Sequence, residues 1–233
     1  MLIANFQTGS ISHFITLSVI AILTAGLAVV TKRTTVDANR ISLRKLIGWG
    51  SLVAGLLNTA YWLSPSRFDL SQSLPLHLCN LANFIGAAAV LKEARLFKGL
   101  LYFWSGLCLW AFLTPTTDKG VEDPGFWIFW IYHSFILFTL VVILRGDQFR
   151  PTFRDLQKSM TFSVGLVGCL FVINAITGWN YGFLGNDVPG VLTPVSLLGS
   201  YPQRVLWMII IGAGVFVVLW LPHRGYSATR TRK

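Results

Sequence analysis

Seven apolar stretches recur along the chain, separated by short polar segments that contain charges or prolines. A membrane core about 30 Å thick is crossed by about 20 residues of helix, and each stretch approaches that length. The pattern therefore predicts an all-α polytopic membrane bundle of seven transmembrane helices that forms a single domain, residues 1–233. The predicted helices cover residues 11–30, 46–63, 75–91, 99–114, 126–144, 159–177 and 204–221.

The basic residues are unevenly shared between the two ends of these helices. Sixteen of the 19 Lys and Arg residues follow predicted helices 1, 3, 5 and 7, whereas only Arg67, Lys119 and Arg204 lie in the other segments. Cytoplasmic segments of membrane proteins carry such an excess of Lys and Arg. The bias predicts a multi-pass protein of the cell membrane with its N-terminus outside and its C-terminus in the cytoplasm.

Composition supports a membrane protein and argues against a nucleic-acid-binding protein. Of 233 residues, 54% are hydrophobic and 12% are charged, which is more apolar surface than a soluble domain can hide. The net charge of +10 is concentrated between the apolar stretches, so we interpret it as an orientation signal. We expect membrane lipids as partners, no nucleic acid, and no cofactor or metal.

Polar side chains inside the predicted helices cluster near the outer ends. Polar groups are costly in lipid and often mark functional sites. Counting from the outer end of each helix at about 1.5 Å of rise per residue, the polar side chains of predicted helices 2, 3, 5 and 6 lie at similar depth. One polar pocket open to the outside is the functional interpretation, and single interhelical hydrogen bonds are the alternative. The candidates for substrate binding are Asn58, His77, Asn80, Asn83, Asn174 and, from the next loop, Asn180 and Tyr181.

Cys79 and His133 are the candidates for catalysis. A thiol nucleophile needs a base that accepts its proton. Residues two apart on a helix point about 160° apart, so His77 is a poor partner for Cys79, whereas His133 lies at comparable depth on another helix. Cys108 and Cys169 have no polar neighbours in this depth comparison, so we interpret them as inert, buried, small hydrophobic residues.

Three other functions fit the sequence less well. Predicted helix 7 has no lysine for a retinal Schiff base, and all nine acidic residues lie in loops or at helix ends, which disfavours ion-coupled transport. A zinc site could use His13, His77, Cys79 and His133, but these residues lack close motif spacing and an acidic partner. A metal-dependent hydrolase is therefore the lesser alternative.

Several motifs resemble one family of membrane proteins. They are the segment LPLHLCNL at residues 74–81, LTP at 113–115, His133 followed by Ser134, and NYGFL at 180–184. Together they resemble the YwaF-like bacterial seven-helix membrane proteins, which are similar to eukaryotic transmembrane protein 164. That family is expected to carry an acidic residue and a Trp-Pro-Trp-like segment before the last helix. This chain has LLGSYPQR at residues 197–204, so this loop has diverged.

The eukaryotic relatives imply acyl transfer on membrane phospholipids through a cysteine and a histidine. On this chain that implication falls on Cys79 and His133, and less directly on His77. Two function classes remain: an intramembrane acyltransferase or lipase with a thiol nucleophile, and a non-catalytic lipid-binding or accessory membrane protein. Contact between Cys79 and His133 favours the first class, and its absence favours the second.

Overall fold

The computed structural model describes residues 6–34, 36–71, 73–186 and 194–225, and these residues contain helices and no strand. The chain is 75% helical, so the all-α prediction is confirmed. The end of the predicted basic tail and residues 187–193 of the loop before the last helix lie outside the described residues. The α-helices are α1 (Ile11–Arg33), α2 (Asp37–Trp62), α3 (Leu78–Leu91), α4 (Arg95–Cys108), α5 (Trp110–Leu113), α6 (Pro124–Val141), α7 (Phe153–Thr177) and α8 (Gln203–Trp220).

Among the residues that the structure describes, five helical segments are long and apolar enough to cross a membrane, which makes the chain a multi-pass membrane protein. Another apolar helix, α3, is shorter, and α2 is long but carries charged residues in its first half. Large apolar side chains such as Ile22, Val164 and Leu206 are more than half exposed, so they face the lipid. The five segments are residues 11–33, 95–113, 124–146, 153–177 and 203–223.

Most helix starts differ from the prediction, and the starts of α2 and α3 differ in ways that change which side chains enter the bundle. Helix α2 begins at Asp37, nine residues before the predicted start, because the charged segment continues the helix and turns Arg44 inward. Helix α3 begins at Leu78 instead of Pro75, and His77 is its N-terminal flanking residue. The prediction that Pro75 is the first helical residue is therefore wrong, and His77 lies in the preceding turn.

Two predicted helices are interrupted or extended. The fourth is split at Leu109 into α4 and α5, so Cys108 ends a helix instead of lying inside one. Helix α6 continues into a π-helical turn, Val142–Gly146, in which the Asp147 N–H donates to the Val142 carbonyl over 3.2 Å. A π-turn adds one residue to the normal helical repeat and reorients the next part of the chain. Here it brings Asp147 to the start of α4.

Helix α3 lies at the centre of the bundle, where it packs against α2, α4 and α6. Small residues allow this close approach: a Cβ added at Gly86 would lie 2.6 Å from the Thr139 hydroxyl oxygen on α6. Leu100, Phe103 and Ile136 are fully buried beside it. The central position of α3 means that its side chains meet three neighbouring helices.

Candidate functional site

Two thiols meet where α3 begins and α4 ends. Cys79 is the second residue of α3 and Cys108 is the last residue of α4, and their sulfur atoms are 3.5 Å apart. Both are free thiols, and Cys108 is only 2% exposed. The expectation that Cys108 stands apart from the polar groups is therefore wrong. Cys169 on α7 is exposed, so the expectation that it is buried is also wrong.

His133 on α6 has a fixed pattern of hydrogen bonding. Its Nδ1 lies 2.7 Å from the carbonyl oxygen of Phe129, one turn earlier on the helix, and the ring is 2% exposed. A carbonyl oxygen can only accept, so Nδ1 carries the proton in this bond. In the neutral ring Nε2 is then unprotonated and can accept a proton.

The ring of His133 is close to Cys79. The two side chains are near enough to influence each other electrostatically, while the sulfur nearest to that of Cys79 is that of Cys108, at 3.5 Å. Because α3 and α6 pack against each other, residues separated by 54 positions in the sequence meet here. A thiol beside an unprotonated imidazole nitrogen is the arrangement that nucleophilic catalysis by cysteine requires.

Aromatic rings enclose the histidine and limit its movement. The ring centroid of His133 is 4.0 Å from that of Tyr132 and 4.3 Å from that of Phe129, and Phe112 makes an edge contact at 6.0 Å. Tyr132 also lies near both thiols. Sequence reasoning missed Tyr132, although its position next to His133 on the same helix was a usable signal.

Asn83 ties the helices of this site together. Its Nδ2 donates to the Tyr132 carbonyl at 2.9 Å and to the Cys79 carbonyl at 3.3 Å. The hydroxyl of Ser51 on α2 donates to the backbone carbonyl of Asn83 and to Oδ1. Asn83 and Ser51 are fully buried. Sequence reasoning missed Ser51, since serine is common in membrane helices and gives no distinctive signal.

Asn58 and Asn80 form a hydrogen-bonded pair next to this first network. Asn58 Nδ2 donates to Asn80 Oδ1 over 3.2 Å, and both residues are buried. Among the described residues no acceptor is found for Asn80 Nδ2. Since Asn80 follows Cys79 directly, this N–H group is a side-chain donor close in sequence to the thiol.

A second network joins α7 to the loop after it. Asn174 Nδ2 donates to the Tyr181 carbonyl at 2.9 Å, and Asn174 Oδ1 accepts from the Tyr181 N–H at 3.0 Å. The Tyr181 hydroxyl donates to the Leu70 carbonyl at 2.5 Å, and burial raises its pKa, which keeps the proton on the oxygen. Asn180 Oδ1 accepts from the Gly185 N–H at 2.9 Å. These bonds fold the loop against the bundle.

His77 contacts the second network instead of Cys79. Its Nδ1 accepts a hydrogen bond from the Gly182 N–H at 3.3 Å, and its ring lies 5.3 Å from that of Tyr181 and 5.8 Å from that of Phe183. Because the carboxamides of Asn83 and Asn174 bond within different networks, the prediction that all these amides line one pocket is wrong.

The histidines and cysteines do not assemble into a metal centre in the described part of the chain. No three side chains of His, Cys, Asp or Glu there form a group that could hold a metal ion. His13 is engaged elsewhere, with Nε2 2.8 Å from the Phe112 carbonyl and Nδ1 accepting from the Gly9 N–H. The proposed zinc set of His13, His77, Cys79 and His133 is therefore not brought together.

The family comparison covers all of the elements described above. The profile of the TMEM164 family matches residues 8–220, which include every α-helix and both polar networks. A search of curated proteins and a search of solved structures each gave no match. Since the match extends over most of the 233 residues, the chain belongs to the TMEM164 family.

Proposed function

We propose that this protein is an intramembrane acyltransferase or lipase that cleaves phospholipid esters through a thioester on Cys79. The observation that carries this proposal is the position of His133 beside Cys79, with Nδ1 committed to the Phe129 carbonyl. This leaves Nε2 as the proton acceptor. Kinship with the YwaF-like bacterial proteins, supported by the motifs at residues 74–81 and 180–184, belongs to the same proposal.

In the first step the Cys79 sulfur attacks the ester carbonyl carbon, while His133 Nε2 takes the thiol proton. The bond from Nδ1–H to Phe129 orients the imidazole and stabilises the positive charge that develops on it. Cys79 lies in the first turn of α3, where the helix dipole stabilises the negative thiolate. These features supply the activation that a thiol in an apolar site needs.

In the second step the tetrahedral intermediate collapses. The carbon–oxygen bond to the lysophospholipid breaks, and His133 returns its proton to the leaving alcohol. Asn80 is the better donor to the oxyanion, because the Nδ2 of Asn83 already donates to two carbonyls. The acyl group then passes from sulfur to an acceptor alcohol in an acyltransferase, or to water in a lipase.

The test is to incubate purified protein with phospholipid labelled in its acyl chain. We expect a label on Cys79 that hydroxylamine releases at neutral pH, as a thioester should. Cys79→Ser should lose this thioester, and His133→Ala should slow its formation by roughly 10²–10⁴-fold, the usual contribution of a general base.

Cys169→Ser is the matched control, since Cys169 is an exposed thiol on α7. It should form the thioester at the wild-type rate. Lipid turnover at the wild-type rate in Cys79→Ser and His133→Ala would exclude this mechanism. A wild-type protein that forms no thioester and turns over no lipid would instead leave the non-catalytic lipid-binding role as the function.

We also propose seven membrane spans with the N-terminus outside. Support comes from the five long apolar helices and from the concentration of Lys and Arg in alternate segments. In a cysteine-free background, Gly120→Cys should react with an impermeant reagent from outside. Asn39→Cys, in the basic segment after α1, should react from the cytoplasmic side. Labelling of Gly120→Cys from the cytoplasm alone would mean that the orientation is reversed.

A further inference from the structure

The pairing of Cys79 with Cys108 has no role in the ester chemistry proposed above. Their sulfurs lie 3.5 Å apart, in direct contact, and Cys108 is buried. We propose that these residues are an oxidation site, at which a hydroperoxide converts the two thiols to a disulfide. Only the consequence for catalysis rests on the proposed function, because the disulfide would remove its nucleophile.

The geometry favours closure of this disulfide. The sulfurs must approach by about 1.5 Å to reach a bond length of about 2.05 Å. Both residues lie at helix ends: Cys79 in the first turn of α3, and Cys108 just before the interruption at Leu109. Helices α3 and α4 already pack against each other, so the bond would join elements that are in contact.

The reaction has two steps, and its atoms and electrons balance. First, the Cys79 sulfur attacks the peroxide, the O–O bond breaks, and Cys79 becomes a sulfenic acid while the other oxygen leaves as an alcohol or water. His133 can pass the thiol proton to that leaving oxygen. Second, the Cys108 sulfur attacks the sulfenic sulfur, the S–S bond forms and water is released. The peroxide gains the two electrons that the thiols lose.

Cys79 is assigned the first attack and Cys108 the second. His133 lies near the Cys79 thiol, and Cys79 is partly exposed, whereas Cys108 is buried. An attacking thiol is more reactive as the thiolate, and a base beside it promotes that form. A buried thiol within reach of the first sulfur fits the resolving role.

The experiment uses the purified full-length protein in detergent, treated with hydrogen peroxide or with a fatty-acid hydroperoxide. We expect the intact mass to fall by about 2 Da, the loss of two hydrogens on disulfide formation. Two of the three cysteines should become resistant to alkylation, and the peptides that contain Cys79 and Cys108 should be linked. Dithiothreitol should reverse all three changes. Faster oxidation by the fatty-acid hydroperoxide would identify a lipid oxidant, and equal rates would identify the peroxide group alone.

Variants separate the roles of the three cysteines. Cys108→Ser should stop at a sulfenic acid on Cys79 that dimedone traps, and Cys79→Ser should leave Cys108 reduced. Cys169→Ser should form the disulfide as the wild type does. Links between chains, links to Cys169, or no loss of free thiols in the wild type would each overturn the proposal.

The same preparation distinguishes this proposal from the proposed function. Oxidised protein should form the acyl thioester at least roughly tenfold more slowly than reduced protein, and reduction should restore the rate. If the disulfide forms but the reduced protein makes no thioester, the oxidation site stands and the acyltransferase proposal fails. If the thioester forms but the disulfide does not, the acyltransferase proposal stands and the oxidation site fails.

Discussion

Replacing Asp147 by leucine is expected to destabilise the protein by about 3–5 kcal/mol, the usual cost of removing one partner from a buried ion pair. Asp147 forms an ion pair with Arg44 and another with Lys98, whose Nζ lies 2.6 Å from Oδ2. All three side chains are only 10–12% exposed. Without Asp147 two cations remain together at the end of the bundle, with the exposed Glu93 as the remaining carboxylate beside Arg44. Thermal unfolding in one detergent should show a melting temperature lower by roughly 10 °C.

Asp118→Asn provides the matched control for this ion network. Asp118 pairs with Lys119 at 3.4 Å, but their side chains are 75% and 48% exposed, so water screens the pair. An exposed pair of this kind contributes about 0–1 kcal/mol, and the melting temperature should hardly change. Equal effects of Asp147→Leu and Asp118→Asn would show that the buried network does not stabilise the fold.

The apolar pattern was sufficient to predict helices and their order, because each stretch must bury its backbone polar groups internally when it lies in lipid. It could not predict where α2 begins. A charged segment normally ends an apolar span, but Arg44 is retained inside the fold by Asp147, which is 103 residues away. No pattern near Arg44 indicates that partner, so the helix start depends on tertiary structure.

Depth along a helix was a good guide to Cys79 and His133 but a poor guide to the asparagines. Counting residues from a helix end gives the height of a side chain, but it does not give the direction in which the side chain points around the bundle. Asn83 and Asn174 were assigned similar depths, yet one bonds to Tyr132 on α6 and the other to the backbone of Tyr181. Cys108 was missed although the same count places it near the depth of Cys79.

Replacing Asn83 by leucine is expected to separate the reacting groups of the proposed site. The change removes the N–H groups that donate to the carbonyls of Tyr132 and Cys79, and thus the bond that holds α6 to the first turn of α3. Loss of these buried hydrogen bonds should cost about 2 kcal/mol. With α6 released, His133 should lie farther from the Cys79 thiol. Thioester formation from labelled phospholipid should slow by at least roughly tenfold, since small misplacements of catalytic groups cost rate steeply.

Asn174→Leu tests whether this effect belongs to the site or to stability in general. Asn174 makes two hydrogen bonds to the backbone of Tyr181, and its loss should cost a similar free energy, since buried backbone groups lose their partners. Because these bonds hold the loop after α7 and do not reach α6, Asn174→Leu should form the thioester at nearly the wild-type rate at a temperature where both variants are folded. If the two variants slow thioester formation equally, the two polar networks act as one unit and the assignment of Asn83 to the catalytic end is wrong.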